Sequence, residues 1–204
     1  MVEQIIPFFT ASILLTLSPG PDIIYVLVQS ITYGKNAGIY TTLGLVTGII
    51  IHTTLVAFGI SALINQSEII FFIIKILGAL YLFYLAFKVY RSPAEIAIFT
   101  DDNKRRPDFN LFKKGFLMNV LNPKVTIFFL AFFPGFLWEP EGNTVLQFYI
   151  LGFLFMLQAF LIFSSVALLA GRISMFLQEN PSSGIYLKWV QIIVFVGIGI
   201  LILV

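Results

Sequence analysis

The chain has 204 residues, 59% hydrophobic and 11% charged, far below the roughly 25% charged of soluble domains. With a mean hydropathy of +0.98, it reads as an integral membrane protein rather than a soluble domain. The formal charge of +2 points to no nucleic-acid partner, because the basic residues gather in one loop, and the lack of cysteine excludes disulfides, thiolate metal sites and cysteine redox chemistry.

Apolar runs of about 20 residues mark candidate spans. The first, Gln4 to Ile31, is interrupted by Ser18-Pro19-Gly20-Pro21-Asp22. Proline removes a backbone donor and clashes with the preceding turn, a freed carbonyl in hydrocarbon finds no water, and a mid-span Asp costs roughly 2.5 to 3.5 kcal/mol on insertion scales. The cluster therefore reads as a site rather than a linker. Glu3 stands where a signal peptide is basic, so this segment is expected to be a retained span. Ser18 is expected to cap, and Pro21 and Asp22 to open, a second half-helix, where a carboxylate agrees with the helix dipole.

The second span, Gly38 to Ile64, carries Gly44-x-x-x-Gly48, a pattern of close helix contact that does not by itself establish a dimer. It also carries His52, the sole histidine, read either as a carrier of a coupling proton or as a packed, hydrogen-bonded side chain. In the third span, Ile69 to Tyr90, Tyr81 either offers a hydroxyl to a cavity or packs in the core. The hydrophilic segment Arg91 to Lys113 reads as a solvated cytoplasmic tether.

The fourth span, Lys114 to Trp138, is interrupted at Asn119-Val-Leu-Asn122-Pro123-Lys124. Asn122 suits an N-cap and Pro123 the first helical position, so a half-helix should start there with its free donors facing the interior. Lys124 opposes the dipole in that first turn and needs an anion nearby, with Asp22 the resident candidate. The fifth span, Thr144 to Gly171, holds Gln158, which either lines a cavity or bonds between helices; the sixth runs from Ile185 to Val204. The 23 phenylalanines read as lipid-facing bulk and packing.

If spans alternate, ten of the twelve basic residues (Lys35, Lys88, Arg91, Lys104, Arg105, Arg106, Lys113, Lys114, Arg172 and Lys188) fall on one side. That side should be cytoplasmic, with both termini outside unless the broken first span is re-entrant. Breaks in spans one and four suggest a single all-α transmembrane domain of six helices. Two inverted three-helix repeats, about 1–90 and 114–204, would flank the loop 91–113, with broken helices 1 and 4. Such interrupted spans are the sequence pointer to a transporter's binding site. A substrate carboxylate would take Lys124 and the donors near Asn122, leaving its ammonium to Asp22, an arrangement that selects a zwitterion. Pro19, Gly20, Pro21 and Pro123 would shape the breaks.

Leu17-Ser18-Pro19-Gly20-Pro21-Asp22, Gly34-Lys35-Asn36-Ala37-Gly38, Gly44-x-x-x-Gly48-x-x-x-His52, Gly78-Ala-x-Tyr81-Leu82 and Gly115-Phe-x-x-Asn119-x-x-Asn122-Pro123-Lys124, in this order, resemble the LysE/RhtB family of amino-acid exporters. The resemblance covers at least Leu17 to Pro134. It implies proton-driven export of amino acids or related metabolites across the cytoplasmic membrane by a homodimer. Asp22 and the Asn122-Pro123-Lys124 segment would line the central site, with Asn119 a further candidate. Ser18, Gly20, Tyr81 and Gln158 are further candidates for it, and Asp22 and His52 are the candidates for proton handling. No cofactor or metal is expected. A membrane-embedded enzyme using Asp22 and His52 lacks a nucleophile motif, and a metal exporter lacks converging ligands. A passive channel would differ by not working uphill.

Overall fold

Where the apolar runs end and the prolines fall sets the helices. The structure, a computed structural model, describes residues 2–60, 68–93, 109–140, 142–180 and 182–203. In chain order these form α1 (Val2–Leu17), α2 (Pro21–Tyr33), α3 (Lys35–Leu55), α4 (Glu68–Arg91), α5 (Phe109–Val120), α6 (Pro123–Phe132), α7 (Thr144–Glu179) and α8 (Ser183–Leu203). A π-helical turn, Val56–Ile60, prolongs α3, and a 3-10 turn, Phe133–Phe136, prolongs α6. Gly34, at φ +87°, takes the left-handed backbone that separates α2 from α3.

Among the described residues, four helices are long and apolar enough to cross a bilayer, and the two bent pairs bring the number to as many as six. The α1–α2 pair bends by 54° and the α5–α6 pair by 49°, both at the expected prolines. Two expected boundaries are corrected. Helix α5 starts at Phe109, inside the segment read as a loop, and α7 runs to Glu179, past Gly171. Hydropathy registers membrane depth, not helix length, and nothing breaks the helix before Asn180. At 36 residues, α7 is about 54 Å long and exceeds a hydrocarbon core of about 30 Å. Residues 61–64 of the second expected span and 94–108 of the loop lie outside the described residues.

Glycine seams hold the helices together. A Cβ on Gly44 would strike the Phe112 carbonyl, one on Gly48 would meet the Asn119 side chain at 2.8 Å, and one on Gly115 would strike the Thr41 carbonyl. The Gly44-x-x-x-Gly48 pattern is thus used inside the chain, against α5. Helix α3 runs antiparallel to α7. At one end Gly152 abuts Thr53 and the Thr54 and Tyr149 hydroxyls lie 3.0 Å apart, and at the other Gly38 faces Ala167. Helix α8 lies antiparallel to α4, with Lys188 Nζ donating to the Ser92 carbonyl at 2.8 Å and Gly199 against Phe83. Many phenylalanines form core rather than lipid-facing bulk. Phe8, Phe128, Phe129, Phe132, Phe133 and Phe155 are buried together, with Phe129 and Phe133 stacked at 3.9 Å. Large apolar side chains such as Ile69, Phe72 and Leu80 face outward, as a lipid-facing surface requires.

Candidate functional site

Each proline leaves a carbonyl without its helical donor, four residues earlier. Pro19 strands the Leu15 carbonyl, and Pro123 strands that of Asn119. Lys124 Nζ, from the second break, donates to the Leu15 carbonyl at 3.0 Å and to the Ser18 carbonyl at 3.3 Å in the first. His52 Nε2 lies 3.0 Å from the Asn119 carbonyl, which also accepts from the Asn122 N–H at 2.9 Å. The cost of interrupting two helices in the membrane is therefore offset by side chains from other elements, and Lys124 ties one break to the other.

This geometry corrects three expectations. Lys124 bonds backbone carbonyls, not the Asp22 carboxylate, whose Oδ2 accepts from Asn122 Nδ2 at 2.7 Å. The first-turn donors of α6 are occupied: Asn122 Oδ1 accepts from the Lys124 N–H at 3.0 Å, and the Asn122 carbonyl accepts from Val125 and Thr126. Asn122 caps α6 as expected, but α2 is capped by Gly20 rather than Ser18, with no side chain bonded to its terminus. Pro21 displaces the start of α2 past the reach of the Ser18 hydroxyl.

A cavity lies between the breaks, and Ser18, Gly20, Asp22, Asn119 and Lys124 line it together with Thr16. The space open to the centre of a water-sized sphere is about 20 Å³, room for one water and not for an amino acid. Three oxygens from these residues, Ser18 Oγ, Asp22 Oδ1 and Asn119 Oδ1, are buried without a partner. Lys124 Nζ would lie 3.4 Å from a Cβ on Gly20, beside the start of α2, and sits 5.3 Å from the Phe195 ring centre. The cavity thus offers three acceptors near one cation, each group more than nine-tenths buried.

The remaining candidates divide. Gln158 is outside the lining and donates from Nε2 to Thr16 Oγ1 at 3.0 Å, the interhelical bond. Gln158→Leu should therefore cost about 0.6 kcal/mol, the mean for such bonds in membranes, read as a small fall in the unfolding midpoint in detergent. Tyr81 is half-buried beside Tyr84, ring centres 6.0 Å apart, and is not among the residues that line the cavity. Residues that the sequence reading passed over are Leu15, Thr16, Ile23 and Ile49, and Phe155, Ala159 and Phe163 of α7. The last three recur every four residues, the period of one helix face.

Two further spaces flank the cavity toward opposite ends of the bundle. An apolar groove of about 600 Å³ shares Ile23 with it and runs along Leu27, Ile173 and Leu177. A second cavity of about 350 Å³, lined by His52, Leu55, Gly59 and Leu130 among others, lies toward the end where α3 finishes beside the start of α7. Among the described residues no three His, Cys, Asp or Glu side chains converge as metal ligands.

The profile of the LysE type translocator family matches residues 13–204. A homoserine/homoserine lactone efflux protein of Salmonella typhimurium is 33% identical over 82% of this chain and 80% of its own length. YrhP, an uncharacterized membrane protein of Bacillus subtilis, is 28% identical over 98% of both chains, and an uncharacterized membrane protein of Vibrio cholerae is 31% identical over 71% of this chain and 70% of its own. No solved structure matches.

Proposed function

The chain belongs to the LysE type translocator family, and from that premise we propose that it is a secondary exporter of amino acids or closely related metabolites, driven by proton antiport. The observation that carries this reading is the buried pairing of unpartnered acceptors with a cation between two broken helices. A primary ammonium has three donors, matching Asp22 Oδ1, Asn119 Oδ1 and Ser18 Oγ. The third proton of Lys124 Nζ, two being given to carbonyls, and the start of α2, to which no side chain bonds, favour a carboxylate. A zwitterion meets both sets.

The cavity is too small for that substrate, so the halves must part. In this reading, repeat one (1–90) rocks against repeat two (114–204), opening the site alternately toward the groove and toward the second cavity. The inverted-repeat assignment is supported by matching breaks, each a proline whose stranded carbonyl is taken by a side chain from elsewhere. Asp22 holds the substrate ammonium. The protein acts in the cytoplasmic membrane as a homodimer, with residues 91–113 cytoplasmic and both termini outside. Homoserine, named for the Salmonella relative, is the first substrate to try.

The test is to express the chain in cells loaded with mixed dipeptides and to follow every amino acid, homoserine included, that appears outside. Selective, saturable release, continuing uphill under an imposed pH gradient, is expected. Release no greater than from cells lacking the chain, or release that neither saturates nor runs uphill, would overturn the reading.

A further inference from the structure

The second cavity has a polar feature that binding of substrate does not use. His52 is 2% exposed. Its Nε2 faces a carbonyl, which can only accept, so Nε2 carries the hydrogen and Nδ1 of the neutral ring is a bare lone pair. That Nδ1 is buried without a partner, and leaving a buried acceptor unsatisfied is unfavourable. The space that His52 lines holds about 350 Å³, ample for water, which needs roughly 10–15 Å³ on this measure. The other polar side chain among the described lining residues, Thr126, donates to the Asn122 carbonyl at 3.2 Å, so both hold carbonyls of the second break.

Among the described residues, no charged or phenolic group lines that cavity. Around His52, α4 contributes Ile74, α6 contributes Thr126, Phe129 and Leu130, and α5 presents the Asn119 carbonyl. Tyr149 of α7 is turned to Thr54, and Lys75, beside Ile74, is not part of the lining.

Resting on the exporter reading above, we infer that the coupling proton enters from the second cavity at His52 Nδ1 and is felt at the substrate site through the Asn119 carbonyl. Binding of the proton breaks no bond: the ring becomes an imidazolium with a hydrogen on each nitrogen. The Nε2–H to carbonyl bond becomes charge-assisted, roughly twice as strong as its neutral form. It then grips Asn119, a residue that lines the substrate cavity. When rocking parts His52 from Asn119, the ring gives one proton to water on the other side and the grip is lost.

The alternative, that His52 only replaces the donor missing at Pro123, makes a different prediction. The experiment uses purified protein in proteoliposomes with a labelled amino-acid mixture including homoserine. It measures counterflow at equal pH, which needs no net proton movement, and uphill accumulation under a pH gradient. His52→Gln keeps an N–H donor and cannot titrate. It should hold counterflow within about threefold of wild type while the pH gradient no longer stimulates it, whereas His52→Ala should lose both activities. Wild-type uphill accumulation by His52→Gln, or loss of its counterflow in step with its uphill transport, would overturn the inference. Absence of counterflow by the wild type for every amino acid would instead defeat the exporter reading, and this inference with it.

Discussion

Lys124→Met stops transport and destabilises the fold strongly, whereas Asp22→Asn slows transport sharply and destabilises the fold less, because the Lys124 ammonium it leaves without a counter-charge keeps its two carbonyl acceptors. Lys124 Nζ supplies the Leu15 and Ser18 carbonyls across the two breaks, and methionine leaves both unsatisfied at about 1–3 kcal/mol each. Asp22, buried beside it in the same cavity, becomes an uncompensated charge, a loss that for buried pairs runs to about 3–5 kcal/mol. In Asp22→Asn, by contrast, the new amide oxygen can still accept from Asn122 Nδ2. What disappears is a charge-assisted bond to substrate, about 1.5–3 kcal/mol, or roughly a 10- to 150-fold fall in transport at 1.36 kcal/mol per decade. The double variant Asp22→Asn with Lys124→Met should regain part of the lost stability, since replacing a buried charge pair is less costly than halving it, but no transport. Unfolding midpoints in detergent and initial rates in proteoliposomes separate these outcomes. Unchanged rates for both single variants in folded protein would dismiss the site.

Gly115→Leu and Gly44→Leu should prevent accumulation of folded protein, the largest purely structural effect in the chain. At both positions the atoms in the way are backbone, the Thr41 carbonyl for Gly115 and the Phe112 carbonyl for Gly44, and backbone cannot rotate aside as a side chain can. Even alanine there should cost about 1–3 kcal/mol, the usual range for overpacking. Separation of α3 from α5 would also draw His52 from Asn119, so surviving Gly44→Ala protein should transport more slowly. Gly171→Ala is the control. Nothing lies within 4 Å of its added Cβ, and alanine should stabilise that helical position by about 0.5–1 kcal/mol. Monodispersity in detergent after expression reads the contrast, and normal folding of Gly115→Leu would show that the seam is looser than drawn.

The sequence by itself determined where the helices break and what caps the second break. Proline's missing N–H and its clash act within four residues, and so does the bond from the Asn122 side chain to the Lys124 N–H. The apolar runs likewise disclosed the spans, because the length needed to cross a bilayer is a property of consecutive residues. The partners of the stranded groups were decided elsewhere. The turn around Lys124 called for a nearby anion, and Asp22 lies in the same cavity, but the carbonyls that Lys124 bonds, 109 and 106 residues away, were not legible in that turn. His52 had two open readings until the fold set it against a carbonyl 67 residues distant, and Tyr81 and Gln158 were placed only by the rotation of their helices. Likewise Gly44-x-x-x-Gly48 announces close contact without saying with what, and the α5 backbone answers. Local covalent sterics fix which groups a membrane chain leaves unsatisfied; only packing of residues distant in the chain, in a solvent that offers no substitute hydrogen bonds, fixes what satisfies them.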